Sequence, residues 1–288
     1  MNLRTEMQLS TRTIVPAIVC AVLAASGSGC ALFNPSSAVE RITAERPFLP
    51  PLQNDRNVID LEVYFVDRVV GDPTIGEGLW RSVNQAAGPM STHADLRRAG
   101  IQYGVAPSSP PPALQSLISR GLHASSTKVT AVNHVPLING SAAPIPVSTL
   151  PDGCVIPPSG KKGAGPMRIN QGQCKFQVAA ERLQEGWIKV AFLPQIHHGA
   201  ERVRPNPTDQ RWEMQNGQQV ETFYDQEFSL ELNTGEFVIV GMADEQPESL
   251  GHLFFRSGDP EGRFQRVMIV RLAGMQSMKP LGNNRRNF

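Results

Sequence analysis

The stretch Phe228-Ser229-Leu230-Glu231-Leu232-Asn233-Thr234-Gly235-Glu236-Phe237-Val238-Ile239-Val240 decides how the chain reads. In its first half Phe228, Leu230 and Leu232 alternate with Ser229, Glu231 and Asn233, the period of a strand with one dry face. Asn233-Thr234-Gly235-Glu236 is turn chemistry. Phe237 to Val240 is then a continuous apolar run, read as a further strand.

The same signature continues on both sides. Residues 264–272 read as a final strand, with Val267, Ile269 and Arg271 against Met268, Val270 and Leu272. Upstream, 176–183 and 187–192 are strands joined by Gln184-Glu185-Gly186. Asn216-Gly217 is the strongest short hairpin signal in the chain. Residues 142–273 are therefore expected to form a β-rich, mostly antiparallel module, and 274–288 a flexible tail.

The N-terminal half mixes periods. At 58–66, Ile59, Leu61, Val63 and Phe65 share one face, and Asp60, Glu62 and Tyr64 the other. Leu79, Trp80 and Val83 follow helical spacing, so 76–87 is expected to be a helix, ended by Gly88-Pro89. Ser91 or Thr92 is placed to cap a second helix through Arg98, with Gly100 as the stop. A short strand at 101–105, a helix at 113–122 and a strand at 128–135 complete a small α+β module over 58–135. The fold class is α+β, an N-terminal α+β module followed by the β-rich one.

The first thirty residues are an address. Arg4 and Arg12 precede an apolar run from Thr13 to Ala25, and Ser26, Gly27, Ser28, Gly29 and Cys30 follow. The run has the length of a signal-peptide core and is too short to cross a bilayer. The Gly29-Cys30 pair resembles a bacterial lipobox, with Gly27 where that motif usually carries an aliphatic residue. The resemblance implies a signal peptide over 1–29, diacylglycerol transfer to the Cys30 thiol, and a lipid-anchored lipoprotein. Ordinary cleavage and an uncleaved anchor remain as alternatives. Residues 30–57 read as a spacer, rich in proline and without sustained period.

Cys154 and Cys174 are the remaining cysteines, an even pair in an exported chain. They flank the loop-like segment 157–166. A disulfide between them is expected, and two free buried thiols are the alternative. No CxxC spacing supports a metal pair.

Residues 188–273 also resemble the C-terminal region of bacterial secretins, ring-forming outer-membrane gates. Ile188-Lys189-Val190-Ala191-Phe192-Leu193-Pro194-Gln195-Ile196 looks like a strand that ends there in Pro-x-Ile. The stretch from Leu232 to Gly241 looks like their strand–Gly–strand–Gly hairpin, with Met242 where a second glycine usually follows. Leu250-Gly251-His252-Leu253-Phe254-Phe255 looks like their Leu-Gly-x-Leu-Phe turn, and Val267 to Val270 like a closing strand. The resemblance implies a secretin-like β-fold fragment in an envelope protein, without implying a pore.

Chemistry-bearing motifs are sparse. The chain has no HExxH, no GxSxG and no phosphate-binding glycine loop followed by a helix. Gly160-Lys161-Lys162-Gly163 reads as a solvated loop. His197 and His198 are adjacent, so on a strand they face opposite ways and do not share a metal. Asp60 and Glu62 fit plain strand alternation, and Asp244, Glu245 and Glu248 match no calcium loop. No metal and no cofactor is expected.

With 27 basic and 26 acidic residues the chain has no surplus for phosphate neutralisation, so nucleic acid is excluded as a partner. Losing Arg4, Arg12 and Glu6 with the signal leaves 25 of each. The expected function is thus non-enzymatic: an exported cell-envelope lipoprotein with a structural or assembly role. Its partners would be a membrane, through the lipid, and an envelope protein, with the outer membrane as the favoured location. The rivals are a secretin-associated binding module and an envelope hydrolase built from distant residues, such as His197 or His198 with Asp225.

Overall fold

Strand alternation at the start of the folded part sets the architecture. The computed structural model describes residues 56–120, 129–159, 165–207, 212–243, 246–256 and 262–278. The described elements are β1 (Arg56–Val69), α1 (Glu77–Ser82), α2 (Met90–Arg98), β2 (Ile101–Ala106), α3 (Pro112–Arg120), β3 (Val129–Ile138) and β4 (Ala142–Thr149). After them come β5 (Cys154–Ile156), β6 (Met167–Ile169), β7 (Gln173–Gln184), β8 (Trp187–Pro207) and β9 (Trp212–Thr222). A 3-10 turn (Tyr224–Gln226), β10 (Phe228–Asn233), β11 (Phe237–Met242), α4 (Leu250–Phe255) and β12 (Phe264–Met278) complete the order. The fold is α+β and mostly antiparallel sheet.

Sheet A has the order β2-β11-β12-β1-β3, and sheet B the order β10-β8-β7-β4, with β9 added to β8. β5 and β6 form a small separate pair. One face of β1 carries Ile59, Leu61, Val63 and Phe65 into a core shared with Phe176, Val178, Val190 and Phe192 of sheet B. The opposite face of sheet A carries Val66, Ile239, Val267 and Ile269 into a second core. There Leu79 and Trp80 of α1 and Leu114 and Leu117 of α3 cover them. The layers are helices, sheet A, then sheet B.

This explains the uninterrupted apolar runs. In β11, Val238, Val240 and Met242 face sheet B, while Phe237 and Ile239 face the helices. In β12, Met268, Val270 and Leu272 face sheet B, and Val267 and Ile269 the helices. A strand covered on both sides has no use for polar alternation. Sheet B presents one face to this core, and buried residues alternate with more exposed ones over 173–180 of β7 and 188–198 of β8.

An aromatic column crosses from sheet A to sheet B. Tyr103 of β2 stacks on Phe228 of β10 at 4.6 Å, and Phe228 on Phe192 of β8 at 4.9 Å. Phe176 meets Phe254 of α4 at 4.9 Å. Each such contact contributes roughly 0.5–1.5 kcal/mol beyond the area it buries. The Tyr103 hydroxyl donates to the Ala87 carbonyl at 2.7 Å, so its polar end is satisfied.

Several expectations are corrected. The proposed division at 58–135 and 142–273 does not follow the sheets, because β1, β2 and β3 share sheet A with β11 and β12. Asn233 to Glu236 does not close a hairpin: β10 pairs with β8, while β11 pairs with β2 and β12, so this turn carries the chain between sheets. Asn216-Gly217 is no turn either. It lies inside β9, opposite Val203 and Arg202, beside an irregularity in β8. β8 ends neither at Phe192 nor at Ile196 but runs to Pro207, and Pro194 falls between the last residue paired with β10, Phe192, and the first paired with β9, Gln195. The helix expected over 76–87 stops at Ser82, and Asn84 bridges Val105. α2 has no side-chain cap. The strand end of the expected tail, 274–278, belongs to β12.

Residues 250–255 form helix α4 rather than a turn, wedged between the sheets with Phe254 and Phe255 buried. Its glycine has a physical cause. The Gly251 amide donates to the Ala99 carbonyl at 2.9 Å, and a Cβ there would lie 1.8 Å from the Gly100 carbonyl oxygen. Backbone meets backbone, so no side chain fits.

Arg266 ties the layers at one end. Its guanidinium holds both carboxylate oxygens of Asp67 at 2.7 Å and also donates to the Val147 carbonyl of β4. Asp67 is 8% exposed, so losing its partner leaves a buried charge. Arg266→Met is expected to lower stability by about 3 kcal/mol, and Asp67→Leu added to it to restore most of that, because the charge and its partner then leave together. Urea unfolding of the single and double variants checks this. Gly251→Ala is expected to cost about 3 kcal/mol in the same assay, by overpacking.

Candidate functional site

Among the described residues, three exposed apolar side chains gather on a ribbon built by β8 and β9. β7 last pairs with β8 at Gln173 and His197. Beyond His198, β8 pairs with β9 alone, from Arg202–Gly217 to Pro207–Trp212. Register opposes Val203 to Asn216, Pro205 to Met214 and Pro207 to Trp212, so Val203 and Met214 share a face and Arg202 takes the other. Val203 is 62% and Met214 74% exposed, and Val220, further along the same face of β9, 40%. The period-two run Arg202-Val203-Arg204-Pro205-Asn206-Pro207 was a legible signal that the hairpin reading of Asn216-Gly217 obscured.

Two clefts flank the body. One, of about 680 Å³, lies beside α1 and is lined by Trp80, Arg81, Arg97, Gln102, Arg256 and Gln265 among others. Its donors are engaged: Arg81 pairs with Glu77, Arg97 donates to Gln85, and Gln102 donates to the Met242 carbonyl. The other, of about 550 Å³, runs along β10 between Trp187, Lys189, Leu230 and Glu231. Neither places a nucleophile beside a base.

The histidines fall as strand geometry dictates. His197 is half-buried on the outer face of sheet B and meets Gln195 Oε1 at 3.2 Å, not Asp225. Burial lowers its pKa, with Lys175 and His198 adding to the shift. His198 points inward, 5% exposed, and its Nε2 has no hydrogen-bond partner among the described residues. Asp225 sits on the exposed 3-10 turn, so the structure does not bring the suggested pair together. His134 lies 3.6 Å from Asp60, and Glu62 bonds Arg271 and Tyr64, which spends both carboxylates on strand pairing. Among the described residues, no three histidine, cysteine or carboxylate side chains cluster to hold a metal. Cys30, His123, the 160–163 loop, Asp244 and Glu245 lie outside the described residues.

Cys154 and Cys174 are free thiols rather than the expected bridge. Separate ladders hold them: Cys154 opposes Ile169 in the β5–β6 pair, whereas Cys174 opposes Ser148 and Ile196 in sheet B. Burial pushes the Cys174 thiol up to about 12, against a hydrogen bond from Ser148. Burial also raises Cys154, helped by the charge of Glu248.

The chain matches no known protein-family model and no curated protein. Two solved structures are weakly similar. One is the Klebsiella pneumoniae type II secretion system outer membrane complex of PulD, PulS and PulC HR domain. It shows 14% identity over 75% of this chain and 37% of that one, with a TM-score of 0.18. The other is the V. cholerae Type IV competence pilus secretin PilQ. It shows 14% identity over 77% of this chain and 57% of that one, with a TM-score of 0.19. This chain spans less than two thirds of either.

The thiol environment makes a signed pH prediction. A raised pKa means the folded state holds its proton longer than the unfolded one. Stability is therefore expected to be full below about pH 9, the ordinary thiol value, and lost as pH climbs toward about 12. Tyr103, pushed up to about 12 by burial, adds to the loss above pH 10. Urea midpoints from pH 8 to 11 check this. At pH 8 the folded Cys174 thiol should react with a disulfide reagent at least about 100-fold more slowly than in urea.

Proposed function

We propose that this protein is an exported envelope lipoprotein, acylated at Cys30, whose role is structural or assembly-related and carried by protein contacts. The observation that carries this is the run Thr13 to Ala25 followed by Ser26, Gly27, Ser28, Gly29 and Cys30. Small residues before the cysteine suit a peptidase that cuts ahead of it, and the thiol takes the diacylglycerol. Two acyl chains are what stable anchoring asks for, at about 0.8 kcal/mol per buried CH₂. The neutral charge of the processed chain offers no basic patch as a second attachment, so the lipid bears the whole load. Among the described residues no helix is long and apolar enough to cross a membrane.

Contacts with an envelope protein would fall on the ribbon, where Val203 and Met214 are exposed, rather than in the cleft beside α1, where Arg81, Arg97 and Gln102 are engaged. Blocking signal peptidase II should make the precursor accumulate, and Cys30→Ser should move the protein from the membrane to the soluble fraction. Unchanged processing to a soluble product overturns the anchor.

A further inference from the structure

We infer that the edge of β9 turned away from β8, which pairs with no other strand among the described residues, pairs antiparallel with β9 of a second copy of this chain, about a two-fold axis at Gly217. The other sheet edges are blunted against added strands. β4 carries Pro144 and Pro146, and β3 carries Pro136. Proline cannot donate to a new ladder. β2 is met by Asn84 at Val105. β10 is six residues long, and Gly88 stands against it beside Leu230 and Ser229. β9 has eleven residues, no proline and no lysine. A long unprotected edge is a template for another strand.

The ribbon also needs one. Two strands alone are marginal in water, and a third and fourth give the apolar face a continuous sheet. The sequence of β9 favours itself as that partner. Pairing about Gly217 sets Met214 opposite Val220 of the second copy, twice over. It sets Gln215 opposite Gln219 and Asn216 opposite Gln218. Gln215 and Gln219 each carry a donor and an acceptor, so that rung needs no charged partner, while the Gln218 amide is held by the Gln171 and Gly199 carbonyls. Glu213 meets Glu221 at each end, and like charges directly opposite repel. The pairing should therefore tighten as salt screens them.

Gly217 provides the test, because a Cβ there has open space around it. Directly opposed residues across an antiparallel pair lie within disulfide range. The full chain carrying Gly217→Cys is oxidised mildly and run on a non-reducing gel, with Tyr224→Cys as an exposed control off the strand. The expected result is a crosslinked dimer with Gly217→Cys alone. It should increase at 0.5 M against about 0.05 M salt and fall at least tenfold when Met214→Lys and Val220→Lys are added. A monomeric Gly217→Cys chain, equal crosslinking at Tyr224→Cys, or indifference to the two lysines overturns the pairing. The inference fills in the protein-contact part of the function proposed above and is independent of the anchor. Repeating the test with Cys30→Ser separates the two: a crosslink that survives keeps the pairing even if acylation fails.

Discussion

β11 and the stretch 267–270 of β12 have no solvent side, and that constraint shapes everything around them. Residues 238, 240, 268 and 270 need sheet B over them, and residues 237, 239, 267 and 269 need α1 and α3. Any polar group on these strands must then find a partner within the protein. Arg271 does so with Glu62 across the ladder at 3.1 Å, lying over the Phe237 ring. Arg266 does so with Asp67 and the Val147 carbonyl, which also fixes where sheet B can sit. The charge pairs are consequences of the burial and hold its ends in place.

Much of this was legible locally and little of it globally. The alternation of Ile59, Leu61, Val63 and Phe65 identified β1 and its buried face, and the run 267–272 assigned both faces of β12, Arg271 included. Such periods report how a strand meets its surroundings. They do not report which strand lies beside it. Asn233 to Glu236 has the composition of a tight turn whether the next strand folds back or crosses to another sheet, and here it crosses. Asn216-Gly217 has hairpin composition inside a strand because β8 carries two more residues than β9 between the pairs at 198 and 202, and the irregularity accommodates them. Gly251 was noticed as part of a motif, but its reason is a backbone contact with Gly100, far away in sequence.

The candidate site shows the same division. Strand parity placed His197 and His198 on opposite faces, as adjacent residues must be. Spacing along the chain did not report that Cys154 belongs to the β5–β6 pair and Cys174 to sheet B, and both are free thiols. The ribbon was hidden for a related reason. The alternation along 202–207 is present in the sequence, but its pairing with 212–217 is a matter of register that composition does not report.

The longest pairing in sheet A joins the first described strand to the last, Arg56 with Met278 through Val69 with Phe264. During synthesis the edge of β1 that meets β12 therefore waits until residues 264–278 have been made, although β3 and sheet B come earlier. Sheet A cannot close early, and loop entropy across some two hundred intervening residues must be overcome before the ladder returns anything. That side of sheet A stays open while the chain is growing. A protein that has to be threaded before it folds would gain from that delay, and one that relied on piecewise folding at the ribosome would suffer from it.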